Sequence, residues 1–324
     1  MVSSDLKIGV YFSANDVVYD WAIAFLNSFR QFNPDLRLIL IPFNDRCERL
    51  LQLKEEYNFE VYIDPSFDRL EAIGQAFELG HTPTGPYWFR RYAAFWGPCD
   101  RFMYLDVRQV ILSDLTPLIM ALDRFNFDFL HYDCALDQVY EPGEFRQQLL
   151  RQGKGRGFNS GRWAARKELF SIEEFEKLAA DALKIREQLN PRNTDQAFIN
   201  YCCDLKPIVC GHFAEVMGNT CQNGWARQPG HVYHQDGKYY LWDYGGIDHK
   251  KQVILIHWAG YKWENFFPQK FLLLSFFTKD RNYLASISIY VKLIVVSLPK
   301  LLITILISQR KINSFYHLQK PQAR

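Results

Sequence analysis

Apolar positions along this chain fall into two rhythms that alternate for most of its length. Residues 7–12 (Lys7-Ile8-Gly9-Val10-Tyr11-Phe12) form a short, nearly continuous apolar run that reads as a buried strand, whereas residues 21–32 carry apolar side chains at helical spacing. A strand at 36–41, a helix at 46–57 and a short strand at 59–63 follow. Helices at 70–79 and 87–95 come next, separated by a loop at 80–86 that holds two prolines and two glycines. One more strand runs into Asp106, another covers 128–132, and a fully apolar strand at 253–256 ends at His257. Strands alternating with helices predict βαβ units and a mainly parallel central sheet, an α/β fold. Ser171-Ile172-Glu173-Glu174 is a capping box that opens a helix to about residue 189. Residues 133–157 are polar and irregular and read as a substrate loop or a linker. They end in Gly153-Lys154-Gly155-Arg156-Gly157, which lacks the Gly-Lys-Ser/Thr ending of a phosphate-binding P-loop.

The chain has 324 residues, 48% hydrophobic and 23% charged, enough for a sizeable core in one large domain or two modest ones. A net charge of +2 hides an asymmetry: residues 279–324 hold eight Lys/Arg and one acidic residue, while the other 278 hold 30 Lys/Arg against 35 Asp/Glu. The body is mildly acidic and its basic residues show no stripe, which argues against nucleic-acid binding. The tail alone points to an anionic partner. Seven cysteines show no metal-ligand spacing, and residues 1–6 show no basic segment followed by an apolar one. A cytoplasmic setting with reduced thiols is the expectation.

The chain divides, on this reading, into a domain at 1–270 and a helical tail at 271–324. Residues 284–308 are long enough to span a bilayer at ~1.5 Å per residue over a ~30 Å core. Lys292 and Lys300 interrupt the run, however, and Pro299 kinks it. Ser286, Ser288, Lys292, Ser297, Lys300, Thr304 and Ser308 fall on about half of a helical wheel, which suits a helix lying in the membrane interface. Arg310, Lys311, Lys320 and Arg324 would meet anionic headgroups, with Phe266, Phe267, Phe271, Phe276 and Phe277 inserting beside them. The expectation is a peripherally membrane-associated protein, with residues 279–324 on an anionic surface. A packing helix, or the helix of a homodimer, is the plainer use of the same pattern.

Four motifs carry the chemistry. The first, Ser13-Ala14-Asn15-Asp16-Val17-Val18-Tyr19, follows the first strand. The second, Phe102-Met103-Tyr104-Leu105-Asp106-Val107-Arg108, runs an apolar strand into one carboxylate, the way α/β sheets place charge at a ligand crevice. The third pairs Gly157-Phe158-Asn159-Ser160-Gly161 with Asn193-Thr194-Asp195-Gln196, and the fourth is His257-Trp258-Ala259-Gly260-Tyr261-Lys262-Trp263. In order and spacing, over residues 6–265, they resemble glycosyltransferase family 8, the retaining family of glycogenin and the lipopolysaccharide galactosyltransferases.

That resemblance implies a GT-A fold: a Rossmann-like α/β domain with an acceptor subsite. It implies a UDP-sugar donor, with Asp16 and Tyr19 on its base and ribose and Arg90 or Arg91 as the donor-site arginine. It further implies a divalent metal, Mn²⁺ by its liking for carboxylate and imidazole, on Asp106 and His257. Gly260 would let backbone approach the phosphates, and Lys262 would add a point charge. Asn159, Asp195 and Gln196 would form the reaction centre, Asp195 orienting a sugar hydroxyl and Gln196 offering its amide oxygen to the anomeric carbon. Read without the family, Asp16 caps a helix, the paired arginines are a solvated face, and Asp195 or Thr194 caps the helix that follows. The family's proline between Lys262 and Trp263 is missing here.

Arg108 departs most from the pattern, because it stands where the second carboxylate of Asp-x-Asp belongs. Three readings follow: a metal held by Asp106 and His257 alone, a guanidinium acting in the metal's place, or a site that binds without transferring. The leading reading is a hexosyltransferase acting on a glycan or lipid-linked acceptor. The other is a catalytically silent nucleotide-sugar-binding or scaffold protein on the same fold.

Overall fold

A computed structural model describes residues 6–77, 85–155, 157–190, 195–223, 230–243, 245–246, 248–265 and 267–279. The segment from residue 280 onward, for which a membrane-surface helix is expected, lies outside the described residues, as do Phe266, Thr194 and Arg156. The strands are β1 (Ile8–Ala14), β2 (Leu38–Pro42), β3 (Glu60–Val61), β4 (Arg101–Asp106), β5 (Gln109–Ile111), β6 (Phe129–His131), β7 (Arg162–Arg166), β8 (Cys210–His212), β9 (Thr220–Asn223), β10 (His231–Gln235), β11 (Lys238–Trp242) and β12 (Val253–His257). The helices are α1 (Tyr19–Phe32), α2 (Glu48–Leu51), α3 (Phe67–Ala76), α4 (Thr116–Arg124), α5 (Glu144–Arg151), α6 (Ile172–Leu183), α7 (Gln196–Leu205), α8 (Phe213–Met217) and α9 (Lys270–Phe277). A 3₁₀ run spans Pro86–Trp96.

Seven strands form the main sheet in the order β3-β2-β1-β4-β7-β6-β8. The β3–β2, β2–β1, β1–β4 and β6–β8 pairs are parallel, and β7 alone runs against its neighbours β4 and β6. The sheet is thus mainly parallel, as the alternation of elements predicts. Both faces are buried. Val10, Phe12, Met103 and Leu105 point into one core with α1, α4 and β12, while Tyr11, Phe102 and Tyr104 point into another with the 3₁₀ run, α6 and α7. This is why β1 and β4 read as continuous apolar runs. A smaller sheet, β5-β12-β9, extends the first core, and β10–β11 form a separate hairpin.

Several boundaries differ from the sequence reading. The helix expected at 46–57 is helical only over Glu48–Leu51, and the capped helix ends at Leu183. Its cap is as expected, with the Glu174 N–H donating to Ser171 Oγ at 3.1 Å. The irregular segment 133–157 contains α5, and its glycine-rich end is tied to α7, with Lys154 Nζ on the Asp204 carbonyl at 2.5 Å and the Gly155 N–H on the Asp204 carboxylate at 2.9 Å. These contacts anchor that end of the segment to α7.

The start of the presumed tail is core. In α9, Leu273, Leu274, Phe276 and Phe277 are buried, and Asn27 of α1 donates to the Phe276 carbonyl at 2.9 Å. Phe267, Phe276 and Phe277 are therefore withheld from any membrane by burial, and Phe271 alone of the described phenylalanines in that group is exposed. Among the described residues no helix is long and apolar enough to cross a membrane. All seven cysteines are free thiols.

Candidate functional site

The sheet delivers its chemistry to one edge. Asp106 ends β4 beside Ser13 of β1. Because β7 runs antiparallel, its beginning lies at that same edge, and the Asp106 N–H donates to the Gly161 carbonyl at 2.8 Å. A methyl group on Gly161 would collide with the Asp106 carboxylate, which accounts for glycine at the end of the Asn159-Ser160-Gly161 turn. β12 pairs antiparallel with β5 and brings His257 opposite Gln109. Together these ends border a cavity of about 470 Å³ lined by Ser13, Asn15, Phe43, Asn44, Trp88, Arg91, Tyr104, Asp106, Arg108, Gln138, Asn159, Ser160, Gln196, His257 and Gly260 among others. An adjoining cavity of about 320 Å³ is lined by Asp16, Tyr19, Arg49, Arg108, Tyr261, Lys262 and Trp263. Arg108 borders both.

Behind the larger cavity runs a network of charge. The Arg91 guanidinium, 5% exposed, lies 3.3 Å from Asp106 and 3.4 Å from Asp195, and donates to the Ser160 carbonyl at 3.1 Å. Asp195 has no exposed surface; it accepts from the Tyr92 hydroxyl and from Ser160 Oγ at 3.3 Å. Burial alone would depress the Arg91 pKa, but Asp106 and Asp195 overcome it and raise the value. Arg162 is the second buried cation. It pairs with Asp133, and its other terminal nitrogen meets His257 Nδ1. Here too burial is outweighed, chiefly by Asp133, and the pKa rises. Asp133 sits at φ +75°, an uncommon backbone for a residue other than glycine, and the ion pair to Arg162 joins it to the network. Arg108 differs from both: burial lowers its pKa, only Asp106 opposes, and its side chain makes no hydrogen bond or ion pair with a described residue.

The expected site residues separate on this geometry. Asn159, Gln196, Arg91, Asp106, Arg108, His257 and Gly260 share the larger cavity. Gln196 Oε1 accepts from Asn159 Nδ2 at 3.1 Å and from the Ser160 N–H at 3.4 Å, so both lone pairs of the amide oxygen are taken. Asp195 stands behind the wall, where it holds Arg91. Arg90 turns away from the cavity. It pairs with Glu71 at 2.5 Å and Asp45 at 3.3 Å and lies over Phe67, so its work is to tie α3 to the 3₁₀ run. Asp16 accepts from the Arg49 and Leu50 N–H groups at 3.1 and 3.0 Å and thereby caps α2, a helix distant in sequence. Tyr19 has one ring face covered by Arg49, 4.1 Å from the centroid. Lys262 is exposed on the smaller cavity and Gly260 has φ +75°. Phe43, Trp88, Gln138, Arg162 and Asp133 were not foreseen. An arginine opening the otherwise apolar strand Arg162-Trp163-Ala164-Ala165 was the signal for one of them.

A divalent metal fits these residues poorly. Among the described residues no three His, Cys, Asp or Glu side chains converge as a ligand set. Asp106 is already engaged by Arg91 and accepts from the Tyr104 hydroxyl at 3.0 Å. His257 Nε2 lies 3.9 Å from Asp106 Oδ2, but its Nδ1 accepts from Arg162. A neutral imidazole that accepts at Nδ1 carries its proton at Nε2 and has no lone pair there for a metal. The expected Asp106–His257 metal site is therefore blocked by Arg162 and flanked by Arg108.

His257 gives the fold a pH dependence. Burial, then Arg162, Arg108 and Arg91, hold its pKa well below the ordinary value of 6.5. The unfolded chain therefore takes up this proton first, and the group's contribution to stability is lost as pH falls below about 6.5, at up to about 1.4 kcal/mol per pH unit. Urea unfolding across the mildly acidic range checks this. The His257→Gln variant is expected to show a shallower loss than the wild type, and equal slopes would contradict it.

No family model matches the sequence, and no curated protein matches it. Solved structures do. The galactosyltransferase LgtC, in complex with donor and acceptor sugar analogues, superposes with a TM-score of 0.56 at 16% identity over 83% of this chain and 93% of that one. The WbbM bifunctional glycosyltransferase gives 0.53 at 15% over 88% and 52%. Mouse xyloside xylosyltransferase 1 gives 0.50 at 14% over 79% and 98%. The chain thus has the GT-A glycosyltransferase fold that the order of its motifs implies.

Proposed function

We propose that this chain is a retaining glycosyltransferase that moves a hexose from a UDP-sugar to a glycan or lipid-linked acceptor. The observation that carries the reading is that the larger cavity, at the ends of β1 and β4, is lined both by the cations Arg91 and Arg108 and by the amides Asn159 and Gln196. A departing diphosphate needs positive charge, and a sugar needs neutral hydrogen-bonding partners. In a front-face course the bond from the anomeric carbon to the phosphate oxygen breaks and its electron pair stays on the diphosphate. The acceptor hydroxyl bonds to the same face, and its proton passes to the departing phosphate. Gln196 would supply carboxamide polarity beside the anomeric centre, with Asn159 setting its orientation. Trp88 and Tyr104 would exclude water.

The purified protein, offered a panel of UDP-hexoses with and without Mn²⁺, is expected to release UDP from at least one of them. Gln196→Ala should slow that release by about 10²-fold, the usual cost of losing one well-placed polar group. Occupation of the Gln196 oxygen by two donors favours a second reading, a protein that binds the donor without transfer. Tight UDP binding with no hydrolysis of any donor would select it.

A further inference from the structure

We propose that guanidinium takes the place of a divalent metal in this site: Arg108 binds the donor diphosphate directly, and Arg162 withholds His257 from coordination. The proposal rests on the nucleotide-sugar reading above and names how the phosphates are held.

Three independent features converge on it. Arg108 occupies the wall common to both cavities, two residues past the strand end that carries Asp106. Its cationic head is partly withdrawn from water, yet it makes no hydrogen bond or ion pair with a described residue. Arg91 and Arg162, by contrast, each have buried or half-buried carboxylates within 4 Å. A cation held away from water without a partner is costly, and an arriving anion relieves that cost. The second feature is the Arg162 contact to His257 Nδ1, which leaves Nε2 with a proton aimed toward Asp106. The third is Lys262, exposed on the cavity that Arg108 shares, whose ammonium makes no hydrogen bond or ion pair with a described residue. A guanidinium offers paired N–H donors that match two phosphate oxygens, and an ammonium adds a second, mobile charge. As the sugar–phosphate bond breaks, its electron pair arrives on a phosphate oxygen facing these donors, where a metal would otherwise stand.

Calorimetry on the full chain with UDP and with uridine as probes, each in EDTA and in Mn²⁺, tests this. Expected are equal UDP affinities in the two conditions and a loss of roughly 10- to 100-fold in UDP affinity for Arg108→Ala. Uridine binding, which lacks the phosphates, should be unchanged by the substitution. The melting temperature of Arg108→Ala should equal or exceed that of the wild type, since the side chain has no hydrogen bond or ion pair with a described residue to lose. Arg108→Gln keeps a polar side chain of similar length and should lose the same affinity. UDP binding that requires Mn²⁺ would overturn the proposal while leaving the nucleotide-sugar reading intact, as would stoichiometric Mn²⁺ binding by the wild type in paramagnetic resonance titrations without nucleotide. Absence of UDP binding in both conditions would overturn the reading underneath it, and the proposal with it.

Discussion

Asp195→Ala is expected to lower folding stability by about 3–5 kcal/mol and to abolish the proposed transfer. The carboxylate has no exposed surface, lies 3.4 Å from Arg91 Nε, and accepts from Ser160 Oγ at 3.3 Å and from the Tyr92 hydroxyl. Its removal leaves a buried guanidinium with Asp106 as its remaining carboxylate within 4 Å, and it strips the Tyr92 hydroxyl of that acceptor. The loss is a large share of the roughly 5–15 kcal/mol by which a typical domain is stable. Asp195→Asn keeps the shape and one acceptor but not the charge, so its cost should be smaller. The functional loss follows from position: freed from Asp195, Arg91 would swing fully onto Asp106 and draw it off the cavity wall. Equilibrium urea unfolding of the two variants measures the cost. An Asp195→Ala protein as stable as the wild type would show that the Arg91–Asp195 pair stabilises nothing.

The network around Arg91 also explains how much of this site could be read from the chain. Asp106 was legible because a buried parallel strand is a continuous apolar run, and a carboxylate closing such a run stands out. Asn159, Gln196 and His257 stood out as members of ordered motifs, and the fold brings them to one cavity because Asn159 precedes β7, Gln196 opens α7 and His257 closes β12. The partition of roles was not legible. Arg90 and Arg91 are neighbours in sequence, but in the 3₁₀ run one points to Glu71 and the other to Asp106, a choice set by tertiary packing. Asp16 looks like a ligand for the donor and also like a cap, and the helix it caps begins about thirty residues away. The contact between Arg162 and His257 joins residues 95 apart, so no local pattern announces it. It decides nonetheless whether the histidine can serve a metal. The β10–β11 hairpin was not anticipated from the apolar pattern; Asp236-Gly237, with φ of +50° and +76°, is its tight turn.

Trp163→Ala should prove as damaging as the loss of Asp195, for a reason that belongs to packing. Trp163 is fully buried in β7, with the rings of Phe95, Tyr104 and Phe129 stacked at 5.2, 5.4 and 5.2 Å and Phe102 edge-on at 5.6 Å. Truncating it opens a void between the sheet and the 3₁₀ run, and replacing a buried Trp with Ala typically costs about 3–5 kcal/mol. The indole also reaches the site. Its N–H donates to the Ser160 carbonyl at 2.9 Å, the same oxygen that accepts from Arg91 at 3.1 Å. Trp163→Phe separates the two contributions. It refills most of the volume and removes only the N–H, so it should cost about 1–2 kcal/mol and act mainly by loosening Ser160 and Arg91. Urea midpoints for both variants, with UDP affinity measured where Trp163→Phe is fully folded, distinguish packing from positioning. A Trp163→Ala protein that loses under about 1 kcal/mol would mean the aromatic cluster can close the void by itself.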